Sequence, residues 1–106
     1  MVRASRLGPQ RKLQRYLDTL RQQLPMLRRR FHVQSLGIFG SYVQGRPRKD
    51  SDLDMLVDFA EVPSLFKFLE LEGYLSTLLG VKVDLVMKGT LKPLIGRRIL
   101  SEVVGL

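Results

Sequence analysis

Residues 35–59 read SLGIFGSYVQGRPRKDSDLDMLVDF, and the fold turns on how this stretch divides. Ser35–Phe39 is a short apolar run closed by Gly40-Ser41, and Leu53–Phe59 is rich in strand formers, so both predict strands. Between them Gly, Pro, Ser and charged residues crowd together, a composition that cannot continue a sheet. It predicts a loop with room for a helical turn after Gly40.

Upstream, Leu13, Tyr16, Leu17, Leu20 and Leu24 recur at spacings of three and four between charged and amide residues, which is one face of a helix over Arg11–Leu24. Pro25 interrupts the pattern, and because proline is tolerated in a first turn, Pro25–Arg30 is either a second short helix or a kinked continuation. Downstream, Pro63–Leu79 predicts a helix that opens on Pro-Ser and stops at Gly80, with Gly73 weakening its middle. Val81–Met87 (VKVDLVM) alternates and is β-branched, hence a third strand, and Pro93 opens a last helix running to about Val103. The order is ααβ, loop, βαβα. Strands separated by helices imply an α/β or α+β protein, a small mixed β-sheet with helices packed on it.

The chain has 106 residues, which suits a single domain over 1–106 with one core. With 44% hydrophobic and 26% charged residues it has the composition of a globular protein rather than a disordered tail, and no apolar run approaches the roughly 18 to 20 residues of a membrane span. The first twelve residues contain no apolar segment of the signal-peptide kind, so a cytoplasmic location is expected. Cysteine is absent, which excludes disulfide scaffolds, thiolate nucleophiles and Cys-based zinc sites. The net charge of +8 is not evenly distributed. Residues 1–30 hold nine Lys or Arg against Asp18 alone, whereas residues 31–106 balance nine against nine. This basic helical N-terminal segment is expected to face solvent or a partner; it lacks the aromatic interleaving of an RNA-binding surface, so nucleic acid is not the expected ligand.

Chemistry concentrates in three aspartates. Asp52 and Asp54 sit two apart at the head of a strand, where alternate side chains share a face about 6.6 Å apart. Carboxylates so placed supply the hard oxygen ligands that Mg²⁺ takes, and two-metal phosphoryl-transfer sites hold their ions about 3.5 to 4 Å apart. Asp84 lies between Val83 and Leu85 on the next strand, an acid where a buried sheet would rather have an apolar residue. The Gly40-Ser41 turn, with exposed N–H groups and little side-chain bulk, is suited to cradle phosphate.

The elements GS-x10-DxD, followed about thirty residues later by an aspartate in an apolar strand, resemble the minimal nucleotidyltransferase (MNT) family of the DNA polymerase β superfamily. The resemblance runs from about Leu20 to Leu106 through FGSYVQG, DSDLDMLVDF, KVDLV and LKPLIGRRILSEV. It implies a nucleotidyltransferase fold in which Gly40 and Ser41 hold the triphosphate of ATP, Asp52 and Asp54 bind Mg²⁺, and Asp84 completes the site and helps activate the acceptor hydroxyl. It further implies transfer of AMP to a hydroxyl on a partner protein. By the same resemblance that partner is a HEPN-domain toxin, an all-helical RNase, with which MNT antitoxins pair. The rival reading is an antitoxin that masks its partner by binding alone. One departure bears on donor affinity: the family commonly has Ala-Arg before the glycine matching Gly45, and this chain has Val43-Gln44.

Other readings fail on named residues. Asp50–Glu61 places acids at positions 1, 3, 5 and 12 of a calcium loop, but Met55 stands where its sharp turn needs glycine. Gly40–Gly45 opens like a P-loop, yet Arg46-Pro47 replaces the required Lys-Ser/Thr. Asp58 and Glu61 are expected at a strand end and beside a helix, and Asp50 as a loop acid, none of them ligands. His32 is expected at a helix end, and Tyr42 in packing rather than on a base. Arg46, Arg48 and Lys49 belong to a loop that is either solvated or in reach of phosphate.

Overall fold

A computed structural model describes residues 8–47 and 52–106. Its elements are α1 (Gly8–Phe31), β1 (Val33–Phe39), α2 (Ser41–Gln44), β2 (Leu53–Phe59), α3 (Leu65–Leu79), β3 (Val83–Met87), a 3₁₀ turn (Lys88–Thr90), α4 (Pro93–Glu102) and β4 (Val104–Gly105). The sheet order is β3-β2-β1-β4. β1 runs antiparallel to β2 and to β4, while β2 and β3 are parallel, so the sheet is mixed as expected.

Alternation along the strands sorts the two faces. Leu53, Met55 and Val57 on β2, Leu36 and Ile38 on β1, and Val83 and Leu85 on β3 are buried together with Leu17, Leu20 and Leu27 of α1 and Leu71 and Leu75 of α3. Burying a side chain of this kind is worth about 1.5 to 3 kcal/mol, so this layer carries most of the stabilisation. The alternate residues Gly37, Phe39, Asp54, Leu56 and Asp84 face the other way. There α4 lies against the sheet, with Leu100 and Val103 lining a cleft beside Gly37 and Leu56.

At Pro25 the structure takes the continuation of the two readings, and after α4 it adds a strand the sequence did not predict. The helical stretches on either side of Pro25 are one helix, because the missing N–H, which costs about 3 kcal/mol inside a helix, is outweighed by the burial of Leu20, Leu27 and Phe31 around it. A fourth strand, β4, follows α4; two residues are too few to show a period. His32 does close a helix, in the left-handed region at φ 58°. Ser64 caps α3 by accepting the Lys67 N–H at 3.2 Å, and Gly80 ends it at φ 69°.

β3 is an edge strand, yet the outward N–H groups of Val83 and Leu85 are occupied. Val83 N–H donates to Ser76 Oγ and Leu85 N–H to Glu72 Oε2, both at 2.9 Å, so α3 covers an edge that would otherwise invite another strand. Arg11, Lys12, Arg15, Arg21 and Arg28–Arg30 are all exposed on α1, and Arg30 pairs with Glu70 of α3 at 2.9 Å. Arg3, Arg6, Arg48, Lys49 and Asp50 lie outside the described residues. Among the described residues, no helix is long and apolar enough to cross a membrane.

Candidate active site

The site forms at the end of the sheet where β1 stops and β2 begins. Cross-strand register places Phe39 opposite Asp54 and Asp54 opposite Asp84, so the carboxylates of the central and edge strands lie side by side on the face away from the core. Asp52 precedes Asp54 by two residues, just ahead of β2. Beyond Phe39 the chain turns at Gly40, whose φ of 81° and ψ of −149° suit glycine alone. A second reason for glycine is space: a Cβ at Gly40 would run into Asp54 Oδ2. Val43 and Gln44 N–H donate to Gly40 O at 3.1 and 3.0 Å, winding α2, and Gly45 at φ 75° ends it. Tyr42 is buried against Tyr16, ring centroids 5.7 Å apart and edge-on, which ties α2 to α1. Its role is packing, as the sequence suggested.

Asp54 is half-buried and its carboxyl is pushed up to about 6, by burial first and then by the charges of Asp84, Asp52 and Glu102. Among the described residues the cation paired with this cluster is Lys82, which reaches Asp52 at 3.9 Å with Lys82 largely and Asp52 partly in solvent, a contact worth about 0 to 1 kcal/mol. Among the described residues, negative charge is therefore concentrated and poorly compensated.

Asp84 differs from expectation in one respect. It is exposed rather than buried in an apolar strand, because β3 is an edge strand and its non-core face is open at this end. Asp58 pairs with Ser35 toward the far end of β2 and Glu61 is exposed beyond it, so neither joins the site. Arg46 is exposed.

Glu102, at the end of α4, was not foreseen. Its Oε1 accepts the Gly40 N–H and its Oε2 accepts the Gln44 side-chain amide, each at 3.2 Å. No local signal could have found it, since 62 residues separate it from Gly40.

The donor set fits Mg²⁺ chemically: three carboxylates provide only hard oxygens, and a divalent cation would favour the ionised form of Asp54 that burial and the neighbouring acids oppose. Among the described residues the acids share a face without closing into a ready ligand set of three.

A glycine-serine turn pressed against an Asp-x-Asp strand, with a third aspartate in register beside it, is the arrangement of a nucleotidyltransferase. The nucleotidyltransferase domain family matches residues 20–106. A curated relative, the protein adenylyltransferase MntA of Thermococcus cleftensis, is 60% identical over 78 residues, covering 74% of this chain and 79% of that protein. A structure provisionally named as a minimal nucleotidyltransferase superposes with a TM-score of 0.72 at 37% identity, covering 85% of this chain and 92% of that one. A toxin–antitoxin crystal structure with AMP-PNP superposes with a TM-score of 0.64 at 26% identity, covering 84% and 67%. A complex of a tri-AMPylated HEPN toxin with its MNT antitoxin from Shewanella oneidensis shares the fold at 22% identity and TM-score 0.58, covering 92% of this chain and 70% of that one. The chain belongs to the nucleotidyltransferase domain family, among its minimal nucleotidyltransferases.

Proposed function

We propose that this chain transfers AMP from ATP to a hydroxyl, a tyrosine in the simplest case, on a helical HEPN-type toxin, and that it acts as that toxin's antitoxin. The observation that carries this reading is the register that sets Asp54 between the Gly40 turn and Asp84. In this reading Gly40 and Ser41 hold the triphosphate, while Asp52, Asp54 and Asp84 hold Mg²⁺. When bound, Mg²⁺ neutralises phosphate charge and acidifies a nearby hydroxyl. The acceptor oxygen bonds to the α-phosphorus, the bond from that phosphorus to the bridging oxygen breaks, and pyrophosphate leaves with it. The acceptor proton passes to a carboxylate, and Asp84, exposed at the rim, is the one an incoming protein can reach.

A partner is supported by two features. The carboxylate face stands open at the end of the sheet, and orienting an acceptor is worth up to about 7 to 11 kcal/mol of barrier, which a docked protein supplies. Val62, Leu65, Phe66 and Leu69 also leave an apolar patch in solvent, with Phe66 86% exposed, of the kind that marks protein contact surfaces.

The test is to incubate the chain with the product of its neighbouring gene, Mg²⁺ and ATP, and to weigh that product intact. A gain of adenylyl groups that Asp52→Ala/Asp54→Ala abolishes supports the enzyme. A tight complex with unmodified partner at every time point supports the second reading, masking without turnover. Gln44 favours that alternative to a degree, since its amide is turned to Glu102.

A further inference from the structure

We propose that Glu102 is the positioning residue of the donor site, one carboxylate that clamps both ends of the Gly40–Gly45 turn and so sets the turn's grip on the triphosphate. This rests on the adenylyltransferase reading above and goes beyond it by making donor binding depend on the C-terminal helix.

The geometry is that of a bracket. One oxygen of Glu102 accepts from the backbone at the head of the turn and the other from a side chain at its foot, both at 3.2 Å. β1 pairs with β4 only at Gly37–Gly105 and Ile38–Val104, so the ladder ends before Gly40. The Glu102 side chain continues the pairing where backbone no longer reaches. Without it, a partly buried N–H on the most conformationally free residue of the turn loses its acceptor.

Glu102 is itself held on both sides. Val103 N–H closes α4 onto Ile99 O at 2.9 Å, and Leu106 N–H donates to Leu36 O at 3.2 Å, anchoring the tail along β1. Gly37 admits this tail closely, for a Cβ there would lie 2.7 Å from Val103 Cγ2. A neutral side chain would avoid adding a fourth negative charge beside three aspartates. The carboxylate stands there despite that repulsion, and two oxygens that both accept are what a backbone N–H and an amide N–H₂ require.

The experiment measures Mg·ATP affinity by calorimetry, with thermal melting as a control and transfer kinetics on the partner. Glu102→Ala is expected to weaken binding roughly tenfold, the size of one lost charge-assisted hydrogen bond, while kcat at saturating ATP changes little. Glu102→Gln retains binding, since an amide oxygen still accepts from Gly40 and Gln44 can turn its own amide to match. Gln44→Glu sets two carboxylates against each other and weakens binding, and adding Glu102→Gln to it restores affinity. Wild-type affinity in folded Glu102→Ala overturns the proposal. Where Glu102→Ala does not fold, failure of the double variant to recover what Gln44→Glu loses overturns it. Absence of nucleotide binding by the wild-type chain defeats the adenylyltransferase reading itself, and this proposal with it.

Discussion

A Cβ on Gly40 would run into Oδ2 of Asp54, so the Gly40-Ser41 turn and the central carboxylate occupy one space that only glycine leaves free. The turn ends β1 and the carboxylate starts β2, and their contact makes one site of two sequence motifs. Gly40→Ala is therefore expected to displace the Asp54 carboxylate and strain a backbone at φ 81°. A stability loss of about 1 to 3 kcal/mol should appear in denaturant melts, together with loss of metal-dependent ATP binding.

Asp54 and Asp84 face each other in register but differ in exposure, and the proposed function gives them separate roles. Asp52→Ala/Asp54→Ala should abolish Mg²⁺-dependent ATP binding in titration calorimetry. Asp84→Asn should leave that binding nearly intact and slow transfer by about 10² to 10⁴, the range of a lost general base. Equal losses in binding and transfer would reduce Asp84 to a structural acid.

Metal-free Asp54 should titrate near pH 6, because burial and then Asp84, Asp52 and Glu102 oppose its ionisation. A folded value above the ordinary 3.8 means that the stability it contributes is complete below about pH 4 and is lost as pH rises through 6. Asp54→Asn, always neutral, should gain in melting temperature over the wild type from pH 4 to 7. The direct readout is the Asp54 carboxyl carbon shift in NMR, whose midpoint should fall in Asp84→Asn.

Glu72 and Ser76 guard the β3 edge by accepting from Leu85 and Val83. Glu72→Ala leaves the Leu85 N–H without its acceptor and should cost about 1 to 3 kcal/mol. An opened edge should also self-associate with rising concentration, visible in sedimentation, whereas Glu72→Gln keeps an acceptor and stays as dispersed as the wild type.

The exposed basic face of α1 should contribute little to RNA affinity, since its apolar stripe already accounts for the helix. Micromolar binding to generic RNA that fell steeply between low and moderate salt would contradict this.

By itself the sequence determined the features that rest on local signals. β2 at Leu53–Phe59, the turn after Gly40 and the Ser64 and Gly80 ends of α3 follow from residue types within a few positions of each other. The Gly40-Ser41 and Asp-x-Asp motifs were legible for the same reason. Asp84 was visible as an acid in an apolar run, but its exposure was not, because a strand does not announce whether it lies at an edge. The tertiary structure alone decided that β1 and β2 run antiparallel while β2 and β3 run parallel, and hence that Asp54 meets Asp84 rather than a neighbour. It alone carried α1 through Pro25, where core burial outweighs a lost hydrogen bond. And it alone brought Glu102 back across 62 residues to the turn at Gly40, through strand pairing and packing whose partners leave no periodic trace in the chain.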